Sequence, residues 1–301
     1  MSAVLDALAD AGLRWHPSGQ ASLSGPLLRL AAECDRAFLM LASRWDASDE
    51  AHPATLPAAD LARAGYLRSF PHQATFAVHL DRAEDNLDRF VAGVGLGEQD
   101  ISLTRIPPVQ EVLTPAACYH VYQSRQGARL DRAAYLTTRN TCFRTEEAYI
   151  PLHRQRAFTM REIVCLGPAA PVDAFVEDAL AVAGSLIGEL DLPADWAAAT
   201  DPFFRPTVSP GYLMQLVTSV KREAVYMVGG TAPLAVGSVN RHGDHFGEAF
   251  GIEVAGEPAT SGCLAFGLER WLLAITDRHG PDPGRWPSPV QAAARVLQHH
   301  R

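Results

Sequence analysis

The chain has 301 residues, of which 48% are hydrophobic and 20% are charged, and its mean hydropathy is −0.03. This composition is typical of a folded soluble protein and excludes a disordered or collagen-like chain. The 26 basic and 34 acidic side chains give a formal net charge of −8. An acidic balance disfavours a protein whose main task is to bind nucleic-acid phosphate, because that binding depends on clustered basic residues.

The sequence shows no signal peptide or membrane helix, and this observation and the use of cysteine both predict a cytoplasmic protein. The amino terminus carries Asp6 and Asp10 and lacks the basic start and apolar core of a signal peptide. The uncharged stretch over residues 179–188 has about half of the ~20 residues that a bilayer span requires, so we expect no membrane helix. The five cysteines are odd in number and widely spaced, which favours reduced thiols over a disulfide framework.

Helical periodicity dominates the amino-terminal part of the chain. Apolar residues at spacings of three and four, such as Leu27, Leu30 and Cys34, predict a helical segment over residues 1–50. A proline-rich stretch ends this pattern, and residues 51–301 are predicted to form one compact domain with a helix near residues 81–94. No internal repeat is visible, nor is a pair of long heptad helices of the kind that forms a nucleic-acid-binding arm.

Two alternating segments in the middle of the chain predict an antiparallel strand pair. The alternation over residues 139–146 puts four side chains on one face: Asn140, Cys142, Arg144 and Glu146. The second segment, residues 157–166, has Phe158, Met160 and Glu162 on one face. The polar stretch between them, residues 147–156, predicts a long mobile loop, and loops of this length are often functional.

The carboxyl-terminal part predicts further strands enclosed by helices. We expect a helix capped by Asp173 over residues 171–192, then strands over residues 221–228, 235–240 and 249–254, and a helix that begins at Gly267. In this last helix Arg270 points about 200° away from Leu268, which belongs to the apolar stripe. Arg270 is therefore expected to face something other than the core.

Arg144 and Phe158 together suggest a nucleotide site. A guanidinium group pairs with phosphate, and an aromatic ring on the neighbouring strand stacks on a base. Arg270 near a helix amino terminus adds a second group that favours polyphosphate. The alternative for these residues is a set of surface ion pairs and an ordinary buried phenylalanine.

The motifs around these residues resemble a known family. The segment FRTE (residues 143–146) with Phe158 resembles motif 2 of class II aminoacyl-tRNA synthetases, and AFGLER (residues 265–270) resembles their motif 3. More closely, three segments resemble the amino acid:carrier-protein ligases, which are truncated relatives of the atypical zinc-containing seryl-tRNA synthetases: GYLRSFP (residues 65–71), NRHGDHFG (residues 240–247) and SGCLAFGLERW (residues 261–271). The resemblance covers residues 50–280 and implies an α+β fold, in which helices flank an antiparallel sheet.

The resemblance implies a ligase that activates a small amino acid with ATP and Mg²⁺ and transfers it to the phosphopantetheine thiol of an acidic carrier protein. By position, Arg144 and Arg270 are the catalytic residues and bind the α- and γ-phosphates. Six further residues are implied as ATP contacts: Glu146, Arg154, Phe158, Lys221, Gly237 and Ser238. Residues 234–237 depart from related synthetases, which carry acidic and hydroxyl residues there, so backbone contacts through Gly237 and Ser238 are expected.

The same resemblance implies a zinc site. Its ligands are Cys118, Glu162 and Cys263, and three protein ligands leave a fourth position for the amino group of the substrate. Glu162 and Asn240 are accordingly implied as substrate contacts. Cys142 shares the Arg144 face and is the rival ligand, and three unrelated buried residues are the non-metal alternative. Cys165 falls on the opposite face from Glu162.

The turn that contains His242, Asp244 and His245 is interpreted as a wall of the substrate pocket rather than a second metal site. A homodimer is implied through the motif 1 region around residues 53–71. Four arginines are candidates for docking an acidic carrier, with a solvated face as the alternative: Arg125, Arg129, Arg132 and Arg139.

Three rival functions remain open from the sequence. A tRNA-charging synthetase is disfavoured by the missing arm and the acidic charge. A regulator that kept only the fold would bind ATP or an amino acid without releasing pyrophosphate. A zinc hydrolase would hold water at the open metal position and would not respond to ATP.

Overall fold

The computed structural model describes residues 2–94, 100–208, 215 and 220–300, without the side chains of residues 2–5. A seven-stranded sheet lies at its centre. In order across the sheet its strands are β10 (Ala194–Ala198), β11 (Lys221–Val228), β12 (Ala232–Gly243), β15 (Thr260–Gly267), β9 (Ala157–Gly167), β8 (Ala134–Phe143) and β3 (Ser48–Glu50). All neighbours are antiparallel except β3 and β8. The predicted α+β fold with an antiparallel sheet is therefore confirmed.

Helices and smaller sheets surround this central sheet. The helices among the described residues are α1 (Ser2–Asp10), α2 (Gly25–Ala42), α3 (Ala58–Arg63), α4 (Tyr66–Ser69), α5 (Glu84–Gly93), α6 (Tyr119–Gln123), α7 (Ala169–Glu189), α8 (His245–Phe250), α9 (Leu268–His279) and α10 (Pro289–His299). The remaining strands are β1 (Leu13–His16), β2 (Gln20–Leu23), β4 (Thr55–Pro57), β5 (Thr75–Ala77), β6 (Glu111–Leu113), β7 (Arg129–Leu130), β13 (Glu253–Val254) and β14 (Glu257–Pro258). None of the helices described is long and apolar enough to cross a bilayer.

The two faces of the central sheet have different cores. The main core lies between one face and the helices α2, α7, α9 and α10, where Phe38 stacks on Phe266 with ring centroids 4.1 Å apart. The other face carries a smaller core with side chains from α6 and α8, including Phe246. Because successive side chains of a strand alternate, β9 directs Ile163 to the main core and Val164 to the smaller one. Glu162 therefore lies on the face of α6 and α8, and Arg161 on the face of α2.

The amino-terminal segment is only partly helical. Helices α1 and α2 agree with the prediction, but the chain between them forms the hairpin β1–β2, and β3 joins the central sheet beside β8. Gly12 and Gly19 have φ values of +111° and +86°, and these left-handed conformations allow the chain to reverse at both sites. Four-residue strands are too short for apolar spacing to reveal them.

The strand predictions were largely correct in the middle of the chain. β9 and β11 occupy the predicted positions, and β12 is longer at both ends than predicted. β8 begins five residues earlier than predicted and ends at Phe143, so Arg144 and Glu146 follow the strand rather than belong to it. The loop over residues 147–156 is anchored, because Leu152 is fully buried in the main core.

Two predictions for the carboxyl-terminal half were wrong. Helix α7 begins at Ala169 and is capped by Pro168, so Asp173 lies inside the helix rather than at its start. The strand predicted over residues 249–254 is instead helix α8 followed by the two-residue strand β13. Phe246 and Phe250 are four residues apart and both buried, which is helical spacing, and Gly251 ends the helix with a φ of +61°.

Candidate active site

A cavity of about 420 Å³ lies on the sheet face that also carries α6 and α8. Strands β9, β11, β12 and β15 and the start of α9 contribute to its walls. Most of the side chains predicted as site residues line this one cavity: Cys118, Arg144, Glu146, Phe158, Glu162, Lys221, Gly237, Ser238, Asn240, Cys263 and Arg270. Arg154 is absent from the lining. The structure thus brings together residues that are far apart in the sequence.

Arg144 and Phe158 lie together where β8 ends. The guanidinium carbon of Arg144 is 5.1 Å from the centre of the Phe158 ring. Its Nε donates a hydrogen bond of 2.9 Å to the backbone carbonyl of Pro115. Phe158 pairs with Cys142 in the register of β8 and β9, so the chain returns Arg144 over the ring just after the strand ends.

Arg270 is held in the same cavity by backbone carbonyls. Its Nε donates to His153 over 3.0 Å and its Nη1 donates to Ala235 over 3.0 Å. Burial, followed by the nearby charge of Arg144, lowers the pKa of Arg270. Among the residues described, no carboxylate forms an ion pair with Arg144 or Arg270. Two half-buried cations with no carboxylate within 4 Å among the described residues form a site that suits an anionic ligand.

The predicted metal ligands converge because of strand register. Cys263 on β15 lies opposite Asn240 on β12 and opposite Val164 on β9, and Glu162 is two positions from Val164 on the same face. Cys118 enters from the start of α6. The Oε1 atom of Glu162 accepts hydrogen bonds from the backbone N–H of Cys118 over 3.3 Å and of Ala117 over 2.8 Å.

These three side chains lie together in a buried environment and shift one another's pKa values. The thiol of Cys118 donates a hydrogen bond to Cys263, which raises the pKa of Cys118 and lowers the pKa of Cys263. Asn240 Nδ2 and His242 Nε2 lie 3.4 and 3.7 Å from the Cys263 sulfur. Burial, followed by the charge of Cys263, raises the pKa of Glu162 to about 7.

The donor set of Cys118, Glu162 and Cys263 fits zinc chemically, since thiolates and a carboxylate are its usual ligands. In the described part of the chain, however, no group of three or more His, Cys, Asp or Glu side chains is arranged to hold a metal ion. The rival ligand Cys142 does not line the cavity, and its sulfur lies 3.9 Å from the carbonyl of Asn140. Cys165 belongs to the main core on the opposite face, as predicted.

Lys221 is held by carboxylates. Its Nζ lies 2.5 Å from Asp201 and 3.0 Å from Glu223. Glu223 pairs with Ser238 in the register of β11 and β12 and also lines the cavity, next to the stretch that departs from related synthetases. Glu223 and Asp201 were not predicted as site residues, because only the strand register and the return of the chain after β10 bring them to the site.

Arg154 and the predicted docking arginines have other partners. Arg154 is half-exposed and lies 3.7 Å from Glu146. Three of the predicted docking arginines lie within 4 Å of carboxylates: Arg125 beside Glu50, Arg129 beside Glu253 and Arg139 beside Asp35. Arg132 is exposed. Partial neutralisation therefore weakens the argument for an anion-docking patch at these positions.

The histidine turn lines the cavity, as predicted. His242 contacts Cys263 and lies 3.2 Å from the hydroxyl of Ser261. His245 Nε2 donates a hydrogen bond of 2.9 Å to the carbonyl of Ala64. This contact fixes the turn before α4, at which Tyr66 enters the cavity wall.

Comparison with known proteins identifies the family. No family model matches the chain. Amino acid--[acyl-carrier-protein] ligase 2 of Bradyrhizobium diazoefficiens is 34% identical over 99% of this chain and 89% of its own length. Ligase 1 of the same organism is 32% identical over 98% of this chain and 91% of its own length.

Solved structures agree on the fold. The seryl-tRNA synthetase of M. kandleri, in its crystal structure with A. aeolicus tRNASec, matches with a TM-score of 0.79 at 20% identity. That match covers 97% of this chain but 61% of the synthetase chain. The predicted fold and the predicted family are therefore both confirmed: the chain has the class II aminoacyl-tRNA synthetase fold and belongs to the family of amino acid:acyl-carrier-protein ligases.

Proposed function

We propose that the protein activates an amino acid with ATP and transfers the aminoacyl group to the phosphopantetheine thiol of a carrier protein. One observation carries the proposal. The half-buried Arg144 and Arg270, which form no ion pair with a carboxylate of the described residues, share a cavity with the cluster of Cys118, Glu162 and Cys263. Cations suit the phosphates of ATP, and the cluster suits the amino end of a small substrate.

In the first step, a carboxylate oxygen of the amino acid attacks the α-phosphorus of ATP, and the bond to pyrophosphate breaks. Arg144 binds the α-phosphate and stabilises the charge that develops there, while Arg270 binds the outer phosphates. Phe158 stacks on adenine. The chemistry depends on positioning and electrostatic stabilisation, so no side-chain nucleophile is required.

The remaining nucleotide contacts are proposed with the same reasoning. Glu146 and Arg154, which lie within 3.7 Å of each other, orient the adenine and the outer phosphates. Gly237 and Ser238 line the cavity and supply backbone contacts, and Lys221 lies beside them. ATP enters with Mg²⁺, for which Glu223 offers a carboxylate beside Ser238.

Cys118, Glu162 and Cys263 are proposed as zinc ligands. Their support is the donor set, their contact with one another and the register that brings them together. When bound, zinc provides a Lewis acid that holds the amino group of the substrate. Asn240, beside Cys263, then orients the amino acid.

In the second step, the thiol sulfur of the carrier attacks the carbonyl carbon of the adenylate. AMP leaves, the thiol loses its proton to solvent, and a thioester forms. A carrier is favoured over tRNA because the chain matches the two ligases over about nine-tenths of their length but covers 61% of the M. kandleri synthetase chain. The net charge of −8 supports the same choice.

The organisation of the molecule is part of this proposal. Residues 51–301 form the catalytic unit and residues 1–50 a preceding segment. A cytoplasmic homodimer forms through the motif 1 region around residues 53–71. Gel filtration with light scattering tests the dimer, and a monomer at micromolar concentration would contradict it.

Amino-acid-dependent pyrophosphate exchange tests the activity. Zinc-loaded protein should support exchange with at least one member of an amino-acid panel, and Arg270→Ala and Cys263→Ala should abolish it. Arg278→Ala is the matched control, because Arg278 lies on the same helix as Arg270 but pairs with Asp191 at the surface. Loading of a pantetheinylated carrier, compared with tRNA, then identifies the acceptor.

Each rival function corresponds to one result. A regulator binds ATP without exchange. A hydrolase acts without ATP and loses activity when the metal is removed. Charging of tRNA without loading of a carrier would identify a synthetase.

A further inference from the structure

Tyr66 is fixed in the cavity wall by its backbone and its ring. Gly65 precedes it with a φ of +75°, a left-handed conformation that turns the chain into α4. The side chain is 5% exposed. Its ring contacts Phe70 at 5.0 Å and the edge of Tyr119 at 5.7 Å, so its orientation is determined by packing on more than one side.

The hydroxyl of Tyr66 is buried without a hydrogen-bond partner among the residues described. Buried hydroxyl groups are nearly always paired, because leaving one unpaired costs stability. Other buried tyrosines follow this rule: the hydroxyl of Tyr226 donates to Asp277 over 2.8 Å, and that of Tyr122 lies 3.3 Å from His242. An unpaired hydroxyl at a cavity wall is therefore available to a ligand.

The groups around this hydroxyl determine what it can bind. Burial raises the pKa of Tyr66 to about 12, so the hydroxyl keeps its proton and can donate it. The charge of Arg144 opposes this rise, and those of Asp201 and Glu146 add to it. Asp201 accepts hydrogen bonds from Lys221 and Gln215. Glu146 accepts a hydrogen bond from Gln73 and lies 3.7 Å from Arg154. No described residue offers the hydroxyl a hydrogen bond, so a ligand in the cavity can supply the acceptor, and Arg144 in the same cavity favours an anionic oxygen.

The place of Tyr66 in the cavity indicates which anionic group of the substrate its hydroxyl binds. Tyr119 packs against Tyr66 and directly follows Cys118, so Tyr66 lies one ring away from the thiol cluster, and it lines the same cavity as Arg144. A small amino acid that reaches from the cluster to Arg144 passes Tyr66 with its carboxylate. Adenine and the outer phosphates are assigned to Phe158 and Arg270 instead.

We propose that the Tyr66 hydroxyl donates a hydrogen bond to the carboxylate of the bound amino acid and retains it when that carboxylate becomes the acyl group of the adenylate. This inference rests on the proposed function. Tyr66 and Arg144 then bind the reacting carboxylate from two directions and hold it toward the α-phosphate. Tyr66 contributes to recognition of the amino acid, and it has no contact with the rest of ATP.

Tyr66→Phe tests this inference, because it removes only the hydroxyl. The KM for the amino acid in pyrophosphate exchange should rise about 10- to 100-fold, and calorimetry should show a matching loss of affinity for an aminoacyl-sulfamoyl adenosine. The KM for ATP should stay within about twofold of wild type. The melting temperature should stay the same or rise, since an unpaired buried hydroxyl is lost.

Tyr226→Phe is the matched control. It removes a buried hydroxyl that has a protein partner, so the melting temperature should fall and both KM values should stay unchanged. An unchanged amino-acid KM in Tyr66→Phe overturns the inference, as does a fall in its melting temperature like that of Tyr226→Phe. A wild type that neither exchanges pyrophosphate nor binds the adenylate analogue overturns the proposed function as well.

Discussion

Replacing Arg270 by methionine should weaken nucleotide binding but change the stability of the ligand-free protein only slightly. The guanidinium is half-buried and bonded to two backbone carbonyls, with no ion pair to a carboxylate of the described chain. Methionine loses these charge-assisted bonds, each worth about 1.5–3 kcal/mol. It also removes the desolvation penalty of a buried cation, which is several kcal/mol. Because the two terms oppose each other, we expect the ligand-free protein to change in stability by less than about 2 kcal/mol.

The effect should appear when nucleotide is added. At a concentration 100 times its Kd, a ligand stabilises the folded state by about 2.7 kcal/mol. Losing a buried charge that faces phosphate costs about 2–5 kcal/mol of binding, or at least roughly 30-fold in affinity. With a 100-fold loss, the same concentration stabilises Arg270→Met by only about 0.4 kcal/mol. For a chain of 301 residues, the ligand-induced rise in melting temperature then falls from roughly 4 °C to below roughly 1 °C.

Thermal unfolding with and without a non-hydrolysable ATP analogue measures both quantities. Arg278→Met is the control, because Arg278 lies on the same helix, is partly exposed and pairs with Asp191 at 2.6 Å. Its ligand-induced shift should equal that of wild type. If nucleotide raises the melting temperature of Arg270→Met as much as that of wild type, the assignment of this side chain to phosphate is refuted. A large loss of stability without ligand would show that its role is structural.

Three further predictions concern other parts of the molecule. Cys118→Ala and Cys263→Ala should lower zinc from about one ion per chain toward none by elemental analysis, whereas Cys165→Ala, in the main core, should leave it unchanged. Phe158→Ala should raise the KM for ATP about tenfold through the loss of stacking, and Phe158→Tyr, which keeps the ring, should not. Arg161→Ala should lower the free energy of unfolding by about 2–3 kcal/mol in urea titrations, because it leaves the mostly buried Asp35 without its main partner, whereas Asp49 is half-exposed and stays hydrated; a change below about 1 kcal/mol would contradict this.

Local periodicity was sufficient to predict which way several site residues point. The alternation of β9 put Phe158 and Glu162 on one face, and both line the cavity. The helical angle between Leu268 and Arg270 separated core from cavity correctly, since Leu268 is buried in the main core. These directions follow from geometry within one element, so no tertiary information was needed.

The register of the strands and the reversals of the chain could not be predicted from local sequence patterns. Glu223 comes to the cavity through its pairing with Ser238, and no local pattern marks that pairing. Arg154, which the resemblance implies as a phosphate contact, is outside the cavity lining and lies 3.7 Å from Glu146, a contact that the sequence did not indicate. The orphan hydroxyl of Tyr66 is a property of its surroundings, which only the folded chain defines.

Three arginines around the central sheet show how the fold separates structure from function. Arg161 is buried on the face of α2, where it bonds Asp35 at 2.6 Å and Asp49 at 2.9 Å, so its charge is compensated by the protein itself. Arg144 and Arg270 are half-buried at the cavity, with only carbonyl and aromatic partners for their guanidinium groups among the residues described. Burying a cation without a carboxylate destabilises the free protein, and a bound anion removes that penalty. Nucleotide bound at these two arginines is therefore expected to stabilise the wild type, and this effect should be lost when Arg270 is removed.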